Sequence, residues 1–304
     1  MKRFLITLAC LCGLSLAACS PPPTPIALPA TITPAPSASP TSTATPTVLS
    51  TNTPTALPTS TRTPTPLPCW QGGGTLERTS LSTPLLKLPM EVVVYLPPCY
   101  AEMPQHYYPV LYLLHGQNYT QEQWVRLGVP ELADRLMGTG EIPPYIIVMP
   151  HDRLWEDPPN TPFDEAFLQV LLPWVDSTYR TVPDREFRAV GGLSRGGAWA
   201  IHFGLHDWQL FGALGGHSAP VFWSDSPHIA AWLDTIPPES LPKIYLDIGE
   251  KDYLRDSNDW FEAQLVAHNV PHEWHLYSGY HEESYWQAHA EEYLRWYGAL
   301  WKLP

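Results

Sequence analysis

A serine enclosed by glycines, Gly192-Leu193-Ser194-Arg195-Gly196, joins a strand-like run to a helix-like one, and this junction restricts the backbone more than any other feature. Phe187-Arg188-Ala189-Val190-Gly191 before it alternates like a strand, and Gly197-Ala198-Trp199-Ala200-Ile201-His202-Phe203 after it suits a helix. A serine at such a place sits on a sharp, strained turn that pushes its hydroxyl out of the sheet. The flanking glycines avoid collisions between the strand and the helix. The helix that follows aims its free N–H groups at any oxyanion formed beside the hydroxyl. A glycine-rich turn that merely contains serine is the alternative, and the rest of the chain has to decide between them.

Short apolar runs bounded by Pro or Gly predict strands at Glu91–Leu96, Pro109–Leu114, Tyr145–Met149, Phe211–Gly215, Lys243–Ile248 and Glu273–Tyr277. Apolar residues at Phe163, Ala166, Phe167, Val170, Leu171, Trp174 and Val175 predict an amphipathic helix over Phe163–Thr178, kinked at Pro173. Further helices are expected over Trp260–Asn269 and Glu282–Trp301. Strands that alternate with helices and read as continuous apolar runs imply a mostly parallel sheet covered on both faces. Chemistry in such sheets gathers beyond the carboxyl ends of the strands.

A serine nucleophile needs a base and an orienting carboxylate, in the chain order Ser, Asp or Glu, His. Asp252 follows the strand Lys243–Ile248, and His281 follows the strand Glu273–Tyr277, so both loops open on the edge where Ser194 emerges. Each has rivals. Asp247 lies inside its strand, where fixing backbone or neighbouring loops is the more natural role, and Glu250 lies on the turn itself. His272 and His275 border or belong to a strand, and His289 lies in the last helix. An oxyanion hole needs two backbone N–H groups: one from Arg195, the other from Gln117 in the turn His115-Gly116-Gln117-Asn118. His115 reads as a structural hydrogen-bonding residue rather than a second base. His272-Glu273-Trp274-His275 lacks the H-E-x-x-H spacing of a zinc hydrolase, so neither metal nor cofactor is expected.

The first 68 residues have a different character. Met1-Lys2-Arg3 and the apolar stretch Phe4–Leu16 form a basic start and a short h-region, too brief to span a bilayer. Leu16-Ala17-Ala18-Cys19 resembles the end of a bacterial lipoprotein signal peptide. That resemblance implies cleavage after residue 18, lipidation of Cys19, and extracytoplasmic anchoring to a bilayer, since two or more acyl chains hold firmly. An ordinary secretory signal with a chance cysteine is the alternative, and it exports the chain as well. Ser20–Pro68 is Pro, Thr, Ser and Ala with almost no charge, an unfolded and semi-extended linker. Cys69–Pro304 is long enough for one well-buried domain.

Three of the 17 basic residues and none of the 30 acidic ones precede Cys69, so the domain carries a formal charge of −16. That excess disfavours nucleic acid, anionic lipid surfaces and phosphate-rich substrates. Cys10 and Cys12 leave with the signal, and Cys69 and Cys99 are left as an even pair in an oxidising compartment, which predicts a disulfide.

As a set, the motifs resemble the α/β-hydrolase esterases that include esterase D, feruloyl esterases, enterochelin esterases and mycolyltransferases. The matching stretches are Tyr95-Leu96-Pro97, Tyr108–Gly116, Trp124, Leu172-Pro173-Trp174-Val175-Asp176, Gly191–Gly197, Gly249-Glu250-Lys251-Asp252, and Gly279-Tyr280-His281 with Trp286. The resemblance implies Ser194 as nucleophile, His281 as base, Asp252 as its acid partner, and Gln117 and Arg195 as oxyanion donors. Arg195 stands where methionine is common, which bears on the acyl pocket rather than on the hole, and Tyr280 replaces the usual glycine. The implied activity is two-step hydrolysis of a small-molecule or carbohydrate-linked ester, or transfer of the acyl group to a sugar or glycerol hydroxyl. A non-catalytic binding protein is the remaining class, and no triad member is missing to support it. The stretch 219–242, with Phe222, Trp223, His228 and Trp232, reads either as a substrate-side wall or lid or as an excursion packed on the sheet.

Overall fold

Runs rich in Val, Ile and Leu form the centre of an eight-stranded sheet, because β-branched and aliphatic side chains fit a pleated surface buried on both faces. The computed structural model describes residues 68–301. The signal segment, Cys19 and nearly all of the Pro/Thr-rich stretch lie outside the described residues. The strands are β1 (Thr75–Leu81), β2 (Met90–Leu96), β3 (Val110–Leu114), β4 (Ile146–Pro150), β5 (Arg188–Leu193), β6 (Ala213–His217), β7 (Lys243–Gly249) and β8 (Glu273–Tyr277). Their order is β1-β2-β4-β3-β5-β6-β7-β8, with antiparallel pairing at β1–β2 and β2–β4 and parallel pairing elsewhere. This is the α/β-hydrolase arrangement expected from the sequence.

Alternation along each strand feeds two cores. Val110, Tyr112 and Leu114 of β3 belong to one cluster, and Leu111 and Leu113 to the other. The helices are α1 (Gln123–Arg126), α2 (Val129–Gly138), α3 (Phe163–Ala166), α4 (Leu172–Thr178), α5 (Arg195–His206), α6 (Ile229–Thr235), α7 (Arg255–Ala267) and α8 (Glu283–Leu300). Helices α2 and α8 cover one face through residues such as Leu136, Tyr293 and Tyr297. Helices α3 to α7 cover the other through Phe163, Val175, Phe203, Leu233 and Phe261. Among the described residues, no helix is long and apolar enough to cross a membrane.

The helix expected over Phe163–Thr178 is present but not as one kinked rod. A π-helical turn, Phe167–Leu171, separates α3 from α4. Pro173 sits in the first turn of α4, and its missing N–H falls where the widened turn supplies no regular α-helical partner. Besides the short helices α1 and α6, two elements fall outside the sequence expectations. β1 is a half-exposed edge strand of sequence TLERTSL, whose charges interrupt any apolar run. α2 carries a readable signature, Gly128 in the left-handed region at φ 85° followed by Pro130, with Val129, Ala133, Leu136 and Met137 buried. β6 begins two residues later than expected because the Gly212 N–H bonds the Arg188 carbonyl at 3.0 Å and starts the ladder from there. α7 begins at Arg255, five residues ahead of expectation.

Cys69 and Cys99 form a disulfide across 30 residues, with Cα atoms 5.0 Å apart. It fastens the chain entering β1 to the turn leaving β2. Replacing both cysteines with alanine is expected to lower stability by about 3–4 kcal/mol, the chain-entropy contribution of a loop this long. Denaturant unfolding of the variant beside wild type measures it, and equal midpoints would rule the contribution out.

Candidate active site

Parallel β5 ends in the turn that carries Ser194, and three neighbouring strand ends surround it. Ser194 has φ 53° and ψ −123°, a conformation L-residues avoid, held by its N–H bond to the His217 carbonyl at 2.9 Å. Glycine is required on both sides. A Cβ on Gly192 would lie 2.4 Å from the Gly196 backbone, and one on Gly196 would lie 2.3 Å from the Leu114 carbonyl. The sequence motif is therefore a contact requirement between β5, α5 and the end of β3.

The loops after β7 and β8 bring Asp252 and His281 to that turn. His281 Nε2 lies 2.9 Å from Ser194 Oγ, and His281 Nδ1 lies 2.9 Å from Asp252 Oδ2. The Leu254 N–H donates to Asp252 Oδ1 at 2.8 Å, fixing a carboxylate that is itself buried. Trp286 meets the imidazole edge-on at 4.9 Å between centroids, and Tyr253 covers it at 4.6 Å. The three residues singled out from sequence thus form one hydrogen-bonded line. Their rivals stand elsewhere: Glu250 is exposed beside Lys251, His275 stacks on Tyr245, and His289 stacks on Tyr277.

Gly116, Gln117, Asn118, Ser194, Tyr253 and His281 line a cleft of about 440 Å³. Gln117 belongs to the turn after β3, and Arg195 opens α5, where the first N–H groups have no partner inside the helix. The turn is held by Gln123, which the sequence reading did not single out, and by His115, which it did. Buried Gln123 accepts from the Gly116 N–H at 2.8 Å and donates to Glu283 at 3.0 Å, tying it to α8. His115 donates through Nδ1 to the Gly116 carbonyl at 2.7 Å and accepts through Nε2 from the Asp152 N–H at 3.0 Å. Burial pushes the His115 imidazole down to about 4, so it is a neutral structural group, as expected.

Asp247 fulfils its structural expectation more fully than the sequence suggested. Fully buried, it meets His217 Nδ1 at 2.7 Å and accepts from the hydroxyls of Tyr285 at 2.7 Å and Tyr293 at 2.8 Å. Burial, reinforced by the Asp247 charge, pushes both phenols well up, so they stay protonated donors. His217 carries the carbonyl that holds Ser194, and Tyr285 follows His281 on α8.

The Arg195 side chain turns into the protein. Its Nε meets Asp152 Oδ2 at 2.9 Å, and one terminal nitrogen donates to the Glu156 carbonyl at 2.7 Å. Trp199 donates to the same Asp152 oxygen at 2.8 Å. Arg195 therefore clamps the loop after β4 and does not line the cleft. In the 219–242 stretch, Phe222 packs edge-on against Trp199 at 4.9 Å, and Ile229 and Leu233 of α6 are buried. These residues pack the stretch onto the sheet, and Trp223 is its exposed large hydrophobic side chain, 87 % exposed.

Residues 83–297 match the family model described as Esterase. The chain belongs to the Esterase family. It is 28 % identical over 185 residues to an endo-1,4-beta-xylanase/feruloyl esterase of Xylanibacter ruminicola, covering 57 % of this chain and 24 % of that protein. It is 32 % identical over 173 residues to an esterase of Mycobacterium tuberculosis, covering 53 % of this chain and 35 % of that one. The matches thus span roughly a quarter to a third of those longer proteins. A solved ferulic acid esterase superposes with a TM-score of 0.67 at 25 % identity, covering 76 % of this chain and 99 % of the other.

Neutral His115 generates a pH prediction. The folded imidazole titrates near 4, below the unfolded value of 6.5, so the unfolded chain binds the extra proton between those limits. The stability held above pH 6.5 is lost as pH falls towards 4, by up to about 3 kcal/mol from this residue. Unfolding titrations across that range should show the slope, and His115→Gln should flatten it. An unchanged slope in the variant would assign the acid sensitivity to other groups.

Proposed function

We propose that this esterase-family chain is a serine-dependent carboxylic-ester hydrolase that works through an acyl-enzyme. The supporting observation is the line from Asp252 through His281 to Ser194, with both contacts at 2.9 Å, at the edge of an open cleft. In this reading His281 Nε2 takes the Ser194 proton as the hydroxyl attacks the ester carbonyl. Asp252 holds the Nδ1–H tautomer and stabilises the imidazolium. The N–H groups of Gln117 and Arg195 receive the oxyanion, each worth about 3–4 kcal/mol of barrier lowering. His281 returns the proton to the departing alcohol, and water, activated the same way, cleaves the acyl-enzyme.

Esters of hydroxycinnamic acids are the substrates to try first, because relatives and a similar solved structure bear feruloyl esterase names. Tyr119, Tyr253 and Trp286 around the cleft suit a planar aromatic acyl group. The protein acts outside the cytoplasm, with residues 1–18 removed, Cys19 lipidated, and 19–68 as the tether for the domain 69–304. The near-absence of charge in the tether, where Arg62 is the one charged side chain, and the cysteine after Ala17-Ala18 support that placement.

A fluorophosphonate probe should label the peptide bearing Ser194 and no other serine. Ser194→Ala should abolish hydrolysis while leaving the unfolding free energy within about 0.5 kcal/mol of wild type. Asp252→Asn should lower kcat by about 10⁴ through the wrong tautomer. A Ser194→Ala enzyme with wild-type turnover would end this proposal. Product analysis with added glycerol separates hydrolysis from transfer to an alcohol.

A further inference from the structure

The far end of α5 carries a second group of chemistry-bearing side chains. His202 and His206 lie one turn apart on one helix face, and Asp207 follows directly at the helix end. One ligand atom from each of the three lies within 4.8 Å of the other two. The two rings stack 15° from parallel with centroids 5.1 Å apart, so His206 has to turn for both imidazoles to present an in-plane nitrogen to one ion. Paired imidazoles at i and i+4 are the helical spacing that binds zinc in other sites. Ligands about 2.0–2.1 Å from a tetrahedral ion stand about 3.4 Å apart, so the three need to close by less than about 1.5 Å. The His206 side chain, 52 % exposed, has solvent in which to turn, giving up its Nδ1 pair with Asp207 Oδ2 at 3.0 Å to do so.

The buried partner strengthens the case. Asp225 accepts from His202 Nδ1 at 2.9 Å, and both side chains are buried. That bond fixes the tautomer and leaves Nε2 as the nitrogen available to an ion, the carboxylate–imidazole support common behind metal ligands. The Asp225 bond alone accounts for a buried His202. Asp207 Oδ2 in turn pairs with His206 Nδ1 at 3.0 Å, which stands the second carboxylate and the second imidazole beside His202. The domain's strong negative charge favours a cation there.

We propose that His202, His206 and Asp207 form a binding site for a zinc-class divalent ion, oriented by Asp225 and completed by water. Helical rise puts these ligands about 12–18 Å along α5 from Ser194, too far to touch the reacting ester. The ion therefore acts on stability: it pins the end of α5 to the segment carrying Asp225.

Untagged full-length protein, stripped with chelator, is titrated with zinc chloride by calorimetry and with cobalt(II) by visible absorption. Wild type should bind one equivalent, gain a rise in Tm and show cobalt d–d bands. His206→Gln and Asp207→Asn, both at exposed or half-exposed positions, should weaken binding at least tenfold and lose the Tm rise. Asp225→Asn should weaken it by about 10–100-fold. His268→Gln, whose imidazole pairs with Asp234 elsewhere, should bind like wild type. Hydrolysis of a small nitrophenyl ester should be equal in wild type, His206→Gln and His268→Gln, which separates this outcome from that of the serine mechanism. No saturable one-equivalent binding by wild type, or equal affinity in His206→Gln, or equal loss in His268→Gln, would overturn the site.

Discussion

The left-handed turn at Ser194 is the constraint on which the surrounding architecture depends. A residue at φ 53° persists only when its neighbours over-determine it. Here the His217 carbonyl holds the Ser194 N–H, while the backbones of Leu114, His115 and Gly196 press so close that two glycines are obligatory. The same crowding that forces the strain brings the exit of β3 alongside the start of α5. The approach of two strand ends thus creates both the exposed hydroxyl and the two N–H positions beside it.

Beneath that turn, a buried polar cluster transmits position from strand to helix. Asp247 would be costly to bury alone, and its contacts with His217, Tyr285 and Tyr293 offset that desolvation. Because a half-satisfied network would be worse than an apolar core, the cluster admits one arrangement of β6, β7 and α8. β6 supplies the carbonyl under Ser194, and α8 follows the loop that carries His281. Ser194 and His281, 87 residues apart in sequence, are registered against each other through this shared support.

Much of this was legible in the sequence, for identifiable reasons. The strands β2, β3, β4 and β7 are buried on both faces and stand out as apolar runs, and even half-exposed β8 falls at Glu273–Tyr277 as expected. Ser194, Asp252 and His281 follow strand ends in a fixed order, and topology alone then brings them to one edge. What escaped depends on partners distant in sequence. β1 draws its conformation from its ladder with β2, not from its own mixed residues. Gln123 looks like any surface helix glutamine until the Gly116 N–H needs an acceptor. The π-turn before Pro173 is a backbone answer to one missing donor, which an apolar periodicity cannot reveal. The histidine pair at 202 and 206 was hidden for the opposite reason: it lies in the most recognisable helix, whose reading ended at the serine.

Arg195 shows how one position serves two functions without conflict. Its backbone belongs to the helix start beside Ser194, while its guanidinium reaches away into the loop after β4. Burial raises the Asp152 carboxyl despite the adjacent cation, a sign of how dry the contact is. In such surroundings a charge-assisted bond is stronger than at the surface, and Trp199 and the Leu154 N–H complete the carboxylate's partners. An apolar residue at 195 would leave Asp152 buried without its cation, a change worth about 3 kcal/mol or more. The loop after β4 is therefore anchored by the residue next to Ser194. Any change that loosens this loop acts on the serine turn through Arg195 before it reaches the cleft.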